Sequence, residues 1–202
     1  MVTARDKGDS DFEPIPEGMT HGICFGVLDM GTQYSDKYGK NHKCVILWET
    51  PEHRNDWDGE DSARHVSLML TVSLNAKSNM RPFLENWRGK KFTEQELNGF
   101  SLKKLLGVNA DLQLMHDKKG DKTYTNVTNA LPWRGDKNIP LERDFLYFSF
   151  EDDDAIIPEK TPEWIIKMIK NSDEWGNRNI KDYQEDNQAQ VDPSEYEDDI
   201  PF

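Results

Sequence analysis

The chain has only two cysteines in 202 residues, and it lacks long apolar runs and glycine-rich phosphate loops. Cys24 and Cys44 are too few for a disulfide framework, and no CxxC pair indicates a zinc site. Both lie in apolar surroundings, so we expect small buried hydrophobic residues. No apolar run approaches the length of a membrane span, and the polar N-terminus has no signal-peptide core. These absences favour a reducing cytoplasm and predict no membrane partner.

Recognisable catalytic constellations are missing from the sequence as well. The five histidines are scattered along the chain, and the acid-rich segment 49–61 lacks the spacing of metal ligands. The acidic run 151–154 is compatible with a divalent-ion site, but a solvated surface run is the preferred interpretation. We therefore expect no enzyme activity, no cofactor and no metal.

Electric charge is divided unevenly along the chain. The formal net charge is −13, from 25 Lys and Arg against 38 Asp and Glu. Residues 1–150 hold 20 basic and 22 acidic residues, a net charge of −2, whereas residues 151–202 hold 5 and 16, a net charge of −11. Within residues 77–122, ten basic residues accompany six acidic ones. The sequence therefore predicts a locally basic body followed by an acidic tail.

Short segments of alternating or apolar residues predict a mainly β protein. The predicted strands are 21–28, 43–49, 65–74, 110–116 and 122–127. A helical pattern begins near Ser78 and ends at Gly89, with its apolar residues on one face. The segment 50–62 is rich in charged and turn-forming residues, so it predicts a long exposed loop.

The order of three strands, a helix and two further strands is that of the oligonucleotide/oligosaccharide-binding barrel (OB-fold). This fold is a partly open five-stranded Greek-key barrel with a helix between its third and fourth strands. Other small barrels and α+β folds share the same order, so the order alone leaves them open. Its combination with the C-terminal residues described below favours the OB-fold.

The remaining segments complete the predicted domain organisation. Residues 1–20 form an N-terminal arm, and residues 21–150 form the OB-fold domain. The aromatic run 145–150 is either an added edge strand or a segment that packs across the barrel or onto a second subunit. Residues 151–175 are predicted to form a helical extension, with a helix over 162–170 capped by Thr161. The Asn-, Gln- and Asp-rich residues 176–202 predict a disordered acidic tail.

Basic residues are interleaved with aromatic ones in three places, a composition that suits single-stranded nucleic acid. Two of these clusters fall in the loops after the first and fourth strands, which flank the binding face of an OB-fold. Trp48 and Trp87 share apolar faces and are predicted to be core residues instead. The predicted contacts are Tyr34, Lys37, Tyr38, Lys40, Lys43, Arg88, Lys90, Lys91, Lys118, Lys119, Lys122 and Tyr124.

The chain ends in an acidic pair followed by a small apolar hook. Phe202 can fill a hydrophobic pocket while its carboxylate meets a basic residue, and Pro201 keeps the backbone extended. This ending resembles that of bacterial single-stranded DNA-binding proteins, and the resemblance implies docking to replication and repair proteins. The predicted partner-binding residues are Asp198, Asp199, Ile200, Pro201 and Phe202.

A second resemblance covers segment 78–107, which is similar to part of small replication-associated proteins of bacteriophages. It implies a phage counterpart of the bacterial protein, acting in the cytoplasm of an infected bacterial host. The body departs from the bacterial family, whose barrel lacks so long a helical insertion. The tetramer and the DNA contacts of that family are therefore not carried over, and a homo-oligomer stays open.

The predicted function is single-stranded DNA binding without sequence preference, in DNA replication, recombination and repair. The acidic tail is expected to compete with DNA for the basic groove, because both are polyanions. One alternative is a recombination or replication mediator that loads another protein and binds DNA only weakly. Another alternative is an acidic DNA mimic, which the uneven charge distribution disfavours.

Overall fold

A computed structural model of the protein describes residues 13–57, 60–136, 139–152 and 155–177. Residues 178–202 of the predicted acidic tail and most of the predicted N-terminal arm lie outside these residues. No helix within the described residues is long and apolar enough to cross a membrane. The elements are β1 (Gly18–Ser35), β2 (Gly39–Trp57), β3 (Glu60–Thr71), α1 (Met80–Arg88), α2 (Glu94–Leu97), a 3-10 helix (Leu102–Leu105), β4 (Asn109–Lys119), β5 (Lys122–Pro132), β6 (Leu146–Phe148) and α3 (Glu163–Lys170).

Six strands form one sheet. Five of them lie in the order β3-β2-β1-β4-β5, and the short β6 pairs in parallel with β1. All the other pairs are antiparallel. The predicted mainly β fold, with helices between its third and fourth strands, is thus confirmed. Closure into a barrel is not seen, because β3 and β5 form no hydrogen-bonded pair within the described residues. The aromatic run supplies the sixth strand, which was one of its two predicted roles.

The segment that precedes β1 packs between the two edges of the sheet. Ile15 is buried, and its carbonyl oxygen accepts hydrogen bonds from His116 Nε2 (2.8 Å) and Thr125 Oγ1 (3.0 Å). On the other side, the Glu13 carbonyl oxygen accepts a bond from Arg64 Nη2 (2.6 Å). The described end of the predicted arm is therefore part of the folded body, because an apolar side chain here completes the core.

The predicted loop over residues 50–62 is wrong, because β2 and β3 continue through this region as a paired ladder. The register shifts between Thr50 and Arg54, which indicates a bulge, and pairing then resumes. Arg54 bonds Asp61 (2.8 Å) and Glu142 (2.7 Å) through separate nitrogens. Charged residues that indicate a loop by composition here cross-link two exposed strands.

The helices between β3 and β4 follow the local sequence signals closely. Gly89 ends α1 in the left-handed conformation at φ 67°. Thr93 caps α2 in a capping box with Glu96, as its sequence spacing predicts. The cap of α3 differs from the prediction, because Pro162 rather than Thr161 occupies the N-cap position.

Two apolar cores lie on opposite faces of β1 and β2. The inner core joins the sheet to α1, and its centre includes Trp48 and Trp87, whose predicted burial is confirmed. The outer core lies on the other face of the same two strands, under a covering layer formed by α3 and by the Leu146 and Phe148 side chains of β6. β6 itself lies beside β1 in the sheet. Cys24 and Cys44 are buried free thiols, as expected, and burial raises the pKa of Cys44 to about 12. The outer core consists of Phe25, Leu28, Met30, Val45, Leu47, Leu146, Phe148, Ile165 and Ile169.

Candidate nucleic-acid interface

The β1–β2 hairpin carries the first predicted cluster at its exposed end. Residues 36–38 form the turn, and Tyr34 and Tyr38 are 71% and 70% exposed, in line with their prediction as exposed rings. Lys37 Nζ lies 5.0 Å from the centre of the Tyr38 ring. A free aromatic face beside an ammonium group can stack a base and meet the adjoining phosphate.

The other two cations of this cluster have partners within the protein. Lys40 Nζ lies 2.6 Å from Asp173 Oδ2 in an exposed ion pair. Lys43 Nζ donates a hydrogen bond to Thr71 Oγ1 at 2.7 Å. Lys40 can therefore reach a phosphate only in exchange for Asp173, and such an exposed pair is weak enough to exchange.

The segment just after α3 is hydrogen-bonded to β1 in the β1–β2 hairpin. Glu174 accepts hydrogen bonds from the backbone N and the Oγ1 of Thr32, both at 2.6 Å. Gly31 has a φ of 63°, and a Cβ atom there would lie 2.6 Å from Ser172 Cβ and from Glu174 Oε2. Only glycine combines this conformation with so close an approach. The covering layer therefore ends against the predicted DNA-binding hairpin.

His42 lies between the carboxylates of Asp29 and Glu174. Its Nε2 lies 2.6 Å from Asp29 Oδ1, and its Nδ1 lies 3.5 Å from Glu174 Oε1. The hydrogen bond to Asp29 raises the pKa of His42 above its usual value, against partial burial, and Glu174 and Glu151 add to the rise. Burial raises the pKa of Glu174, but the hydrogen bonds from Thr32 outweigh it and leave the pKa below its usual value.

This arrangement predicts a stability that depends on pH. Because the folded pKa of His42 is raised, its contribution is complete below the unfolded value of about 6.5 and is lost as pH rises through the folded value. We expect His42→Gln to lower the unfolding temperature more at a pH of about 5.5 than at about 9. Thermal unfolding of both proteins at the two pH values measures this difference. An equal loss at both would show that the charge of His42 contributes nothing.

The β4–β5 hairpin presents the third predicted cluster. Lys119 pairs with Lys122 across the hairpin, and Lys118 pairs with Thr123. Tyr124 is 47% exposed, and Lys119 Nζ lies 5.9 Å from the centre of its ring. Asp117 Oδ2 is 3.8 Å from the same ammonium group and offsets part of its charge. This hairpin thus repeats the tyrosine and lysine arrangement of the first one.

The second predicted cluster consists of Arg88, Lys90 and Lys91. Arg88 lies within the protein's own packing, whereas both lysines are exposed. The guanidinium of Arg88 pairs with Glu96 and lies over the rings of Phe92 (4.3 Å) and Phe100 (5.0 Å). A cation enclosed in this way positions the chain after α1. The sequence spacing does not reveal this structural role of Arg88, because a basic residue near two aromatic ones is also the pattern expected for base stacking.

Lys91 also has a protein partner, the buried carboxylate of Glu85, at 2.7 Å. Hydrogen bonds from Lys91 above all, and also from Arg81 and the Phe92 backbone, lower the pKa of Glu85 to about 2, although burial opposes the shift. The ammonium group remains largely exposed, so it can meet a phosphate while it stays paired.

The two exposed hairpins lie at opposite ends of β1. The β1–β2 hairpin follows Ser35, the last residue of β1. At the other end of β1, Gly18 pairs with Leu114, and β4 runs five residues further to the β4–β5 hairpin. The structure therefore does not bring the three predicted clusters into one compact patch. The predicted partner-binding residues, Asp198 to Phe202, lie outside the described residues.

Two further contacts of aromatic rings involve residues that the sequence does not predict as DNA contacts. Trp133 stacks on His21 with ring centres 4.1 Å apart and planes 17° apart, so it covers part of the sheet. Lys103 Nζ lies 4.6 Å from the centre of the Tyr147 ring. These two residues are far apart in sequence, so no local pattern predicts their contact. No group of three or more His, Cys, Asp or Glu side chains in the described residues could hold a metal ion.

Comparison of the chain with protein-family models gives no match, and comparison with curated proteins gives none either. Its functional interpretation therefore rests on the residues and geometry described above.

Proposed function

We propose that the protein binds single-stranded DNA without sequence preference, in phage DNA replication, recombination and repair. The observation that carries this proposal is the recurrence of one arrangement on two separate hairpins. Each hairpin exposes a tyrosine ring with a lysine ammonium group 5.0 Å or 5.9 Å from its centre. Stacking on such rings tolerates any base, because every base has a π-face.

The strand order supports the OB-fold as the finer description of the fold within this proposal. The OB-fold is a partly open barrel in which the loops after strands one and four contact oligonucleotides. Here residues of β3 and β5 approach within 8 Å between Cα atoms, although they do not pair. The segment that contains Ile15 occupies the gap between the edges, so the arrangement is compatible with such a barrel.

A fluorescence titration of labelled poly-dT, at two salt concentrations and with duplex competitor, tests the proposal. We expect tight binding at low salt, a clear loss of affinity at higher salt and little displacement by duplex DNA. The salt slope arises because each neutralised phosphate releases counterions. Absence of poly-dT binding at low ionic strength would refute the proposal.

A mediator that binds DNA weakly and loads a second protein is the next candidate. The observation in its favour is that Lys40 and Arg88, two of the predicted contacts, already pair with Asp173 and Glu96. Fewer available cations imply weaker binding and a smaller salt slope. The same titration separates the candidates, since a mediator needs a partner protein to reach high occupancy on DNA.

The tail tip is proposed to recruit replication or repair proteins of the host or the phage. Removal of Phe202 alone is expected to abolish this docking and to leave poly-dT affinity unchanged, because the residue adds no cation to the body. Co-purification from lysates of infected cells, with the full-length chain as control, measures the docking. Equal recovery of partners by both chains would contradict this role.

A further inference from the structure

The outer face of β1 and β2 is not open to a nucleic acid strand. In an OB-fold, oligonucleotides cross the face formed by strands two and three. Here the covering layer packs on β2, and Val45 and Leu47 point into the outer core at 0% and 1% exposure. The strand neighbouring β2 is open on the same side, because Met69 pairs with Val45 and is 39% exposed. An oligonucleotide on the usual path would therefore meet the protein's own α3 and the outward side chains of β6 after crossing a single strand.

The outer face of β4 and β5 is open along most of its length. Along β4 the buried residues alternate with exposed ones, and Met115 is half exposed opposite Asn126. On β5, Tyr124 and Leu131 are also exposed. Apolar and aromatic side chains therefore alternate with amide side chains along this face. Such a surface suits bases that stack and form hydrogen bonds.

Cations lie at both ends of β5, the strand that borders this face. Lys119 and Lys122 form the hairpin tip, and the opposite end of β5 lies against the end of α1. There, a Cβ atom on Gly89 would lie 2.8 Å from Pro132 Cγ, which brings the exposed Lys90 next to the base of β5. Nine residue steps separate Lys122 from Leu131, about 30 Å of strand.

Acidic residues are present on the same face and limit its positive charge. Asp117 lies opposite Tyr124, and Asp111 lies opposite Leu131. Both belong to β4, so β5 itself offers the row that is free of carboxylates, from Lys122 to Pro132. A phosphate backbone is therefore best accommodated on the β5 side of this face, towards α1.

We propose that single-stranded DNA runs along the outer face of β5 and β4, from the β4–β5 hairpin towards Lys90, instead of across β2 and β3. Bases stack on Tyr124 and contact Met115 and Leu131, while the phosphates meet Lys122 and Lys90. This inference rests on the proposed function and names the surface that performs it. The β1–β2 hairpin then lies at the far end of β1 and contacts only longer oligonucleotides.

Two matched charge substitutions in the full chain test this path. Asn126→Glu adds a negative charge to the centre of the β4–β5 face, and Met69→Glu adds one to the open part of the β2–β3 face. We expect Asn126→Glu to weaken binding of a short oligothymidylate about fivefold or more at low salt, and Met69→Glu less than about twofold. The neutral Asn126→Gln should bind like the wild type. Circular dichroism and thermal unfolding confirm that each variant is folded.

The outcomes distinguish this inference from the proposed function. Wild-type binding with an effect of Met69→Glu as large as that of Asn126→Glu would overturn the path and leave the function standing. The same holds if neither substitution weakens binding. A wild type that ignores oligothymidylate at low salt would remove the proposed function itself, and the path with it.

Discussion

Replacing Tyr38 and Tyr124 together with alanine is expected to weaken oligothymidylate binding by about 2–6 kcal/mol, when the oligonucleotide is long enough to reach both hairpins. Stacking contributes about 1–3 kcal/mol per base, and each ring offers one exposed platform beside a lysine. Both rings are exposed, so the stability of the fold should change by less than about 0.5 kcal/mol for each. Fluorescence titration and urea unfolding measure the two effects separately.

The matched control is the double phenylalanine variant, which keeps both aromatic faces and removes only the hydroxyl groups. It should bind nearly as tightly as the wild type if stacking is the main contribution. A phenylalanine variant as weak as the alanine variant would show that hydrogen bonds of the hydroxyl groups matter instead. Unchanged affinity in the alanine variant would exclude both rings from the interface.

Much of the fold is predictable from local sequence patterns. Alternation predicts the centres of the strands, and the apolar face of α1 predicts the burial of Trp87. The pattern fails over residues 50–62, where composition alone indicates a loop. There Arg54 pairs with Asp61 across the ladder and with the distant Glu142. The helix α3 is predicted within a helical extension, but its position over β1 and β2 depends on a core shared by residues far apart in sequence, such as Phe25 and Ile165.

The candidate site is predictable only in part, for a similar reason. The exposure of Tyr34, Tyr38 and Tyr124 follows from charged neighbours in sequence, and the structure agrees. The pairing of Lys40 with Asp173 joins residues 133 positions apart, so no local pattern reveals it. A basic residue near an aromatic one in sequence thus predicts exposure better than it predicts availability to a ligand.

Glu49 lies at the junction between the sheet and the segment that leads to β6. Its side chain is fully buried, and it accepts hydrogen bonds from the backbone N–H groups of Glu142 (3.0 Å) and Arg143 (3.1 Å). The Nε of Arg143 lies 3.7 Å from the same carboxylate. Its position inside an apolar strand identifies Glu49 as the group that fixes the start of the covering layer on β2.

Glu49→Ala is therefore expected to lower the free energy of unfolding by about 3–5 kcal/mol, because two backbone N–H groups lose their buried acceptor and Arg143 loses its counter-charge. Glu49→Gln keeps one carbonyl oxygen as acceptor and should cost less. Urea unfolding measures both, with Glu163→Ala as control, since that carboxylate is 81% exposed in its pair with Lys167 and should cost less than about 0.5 kcal/mol. If Glu49→Ala were as mild as the control, Glu49 would not hold the covering layer. Then α3 would stay on the sheet through its apolar contacts, and β6 through its pairing with β1.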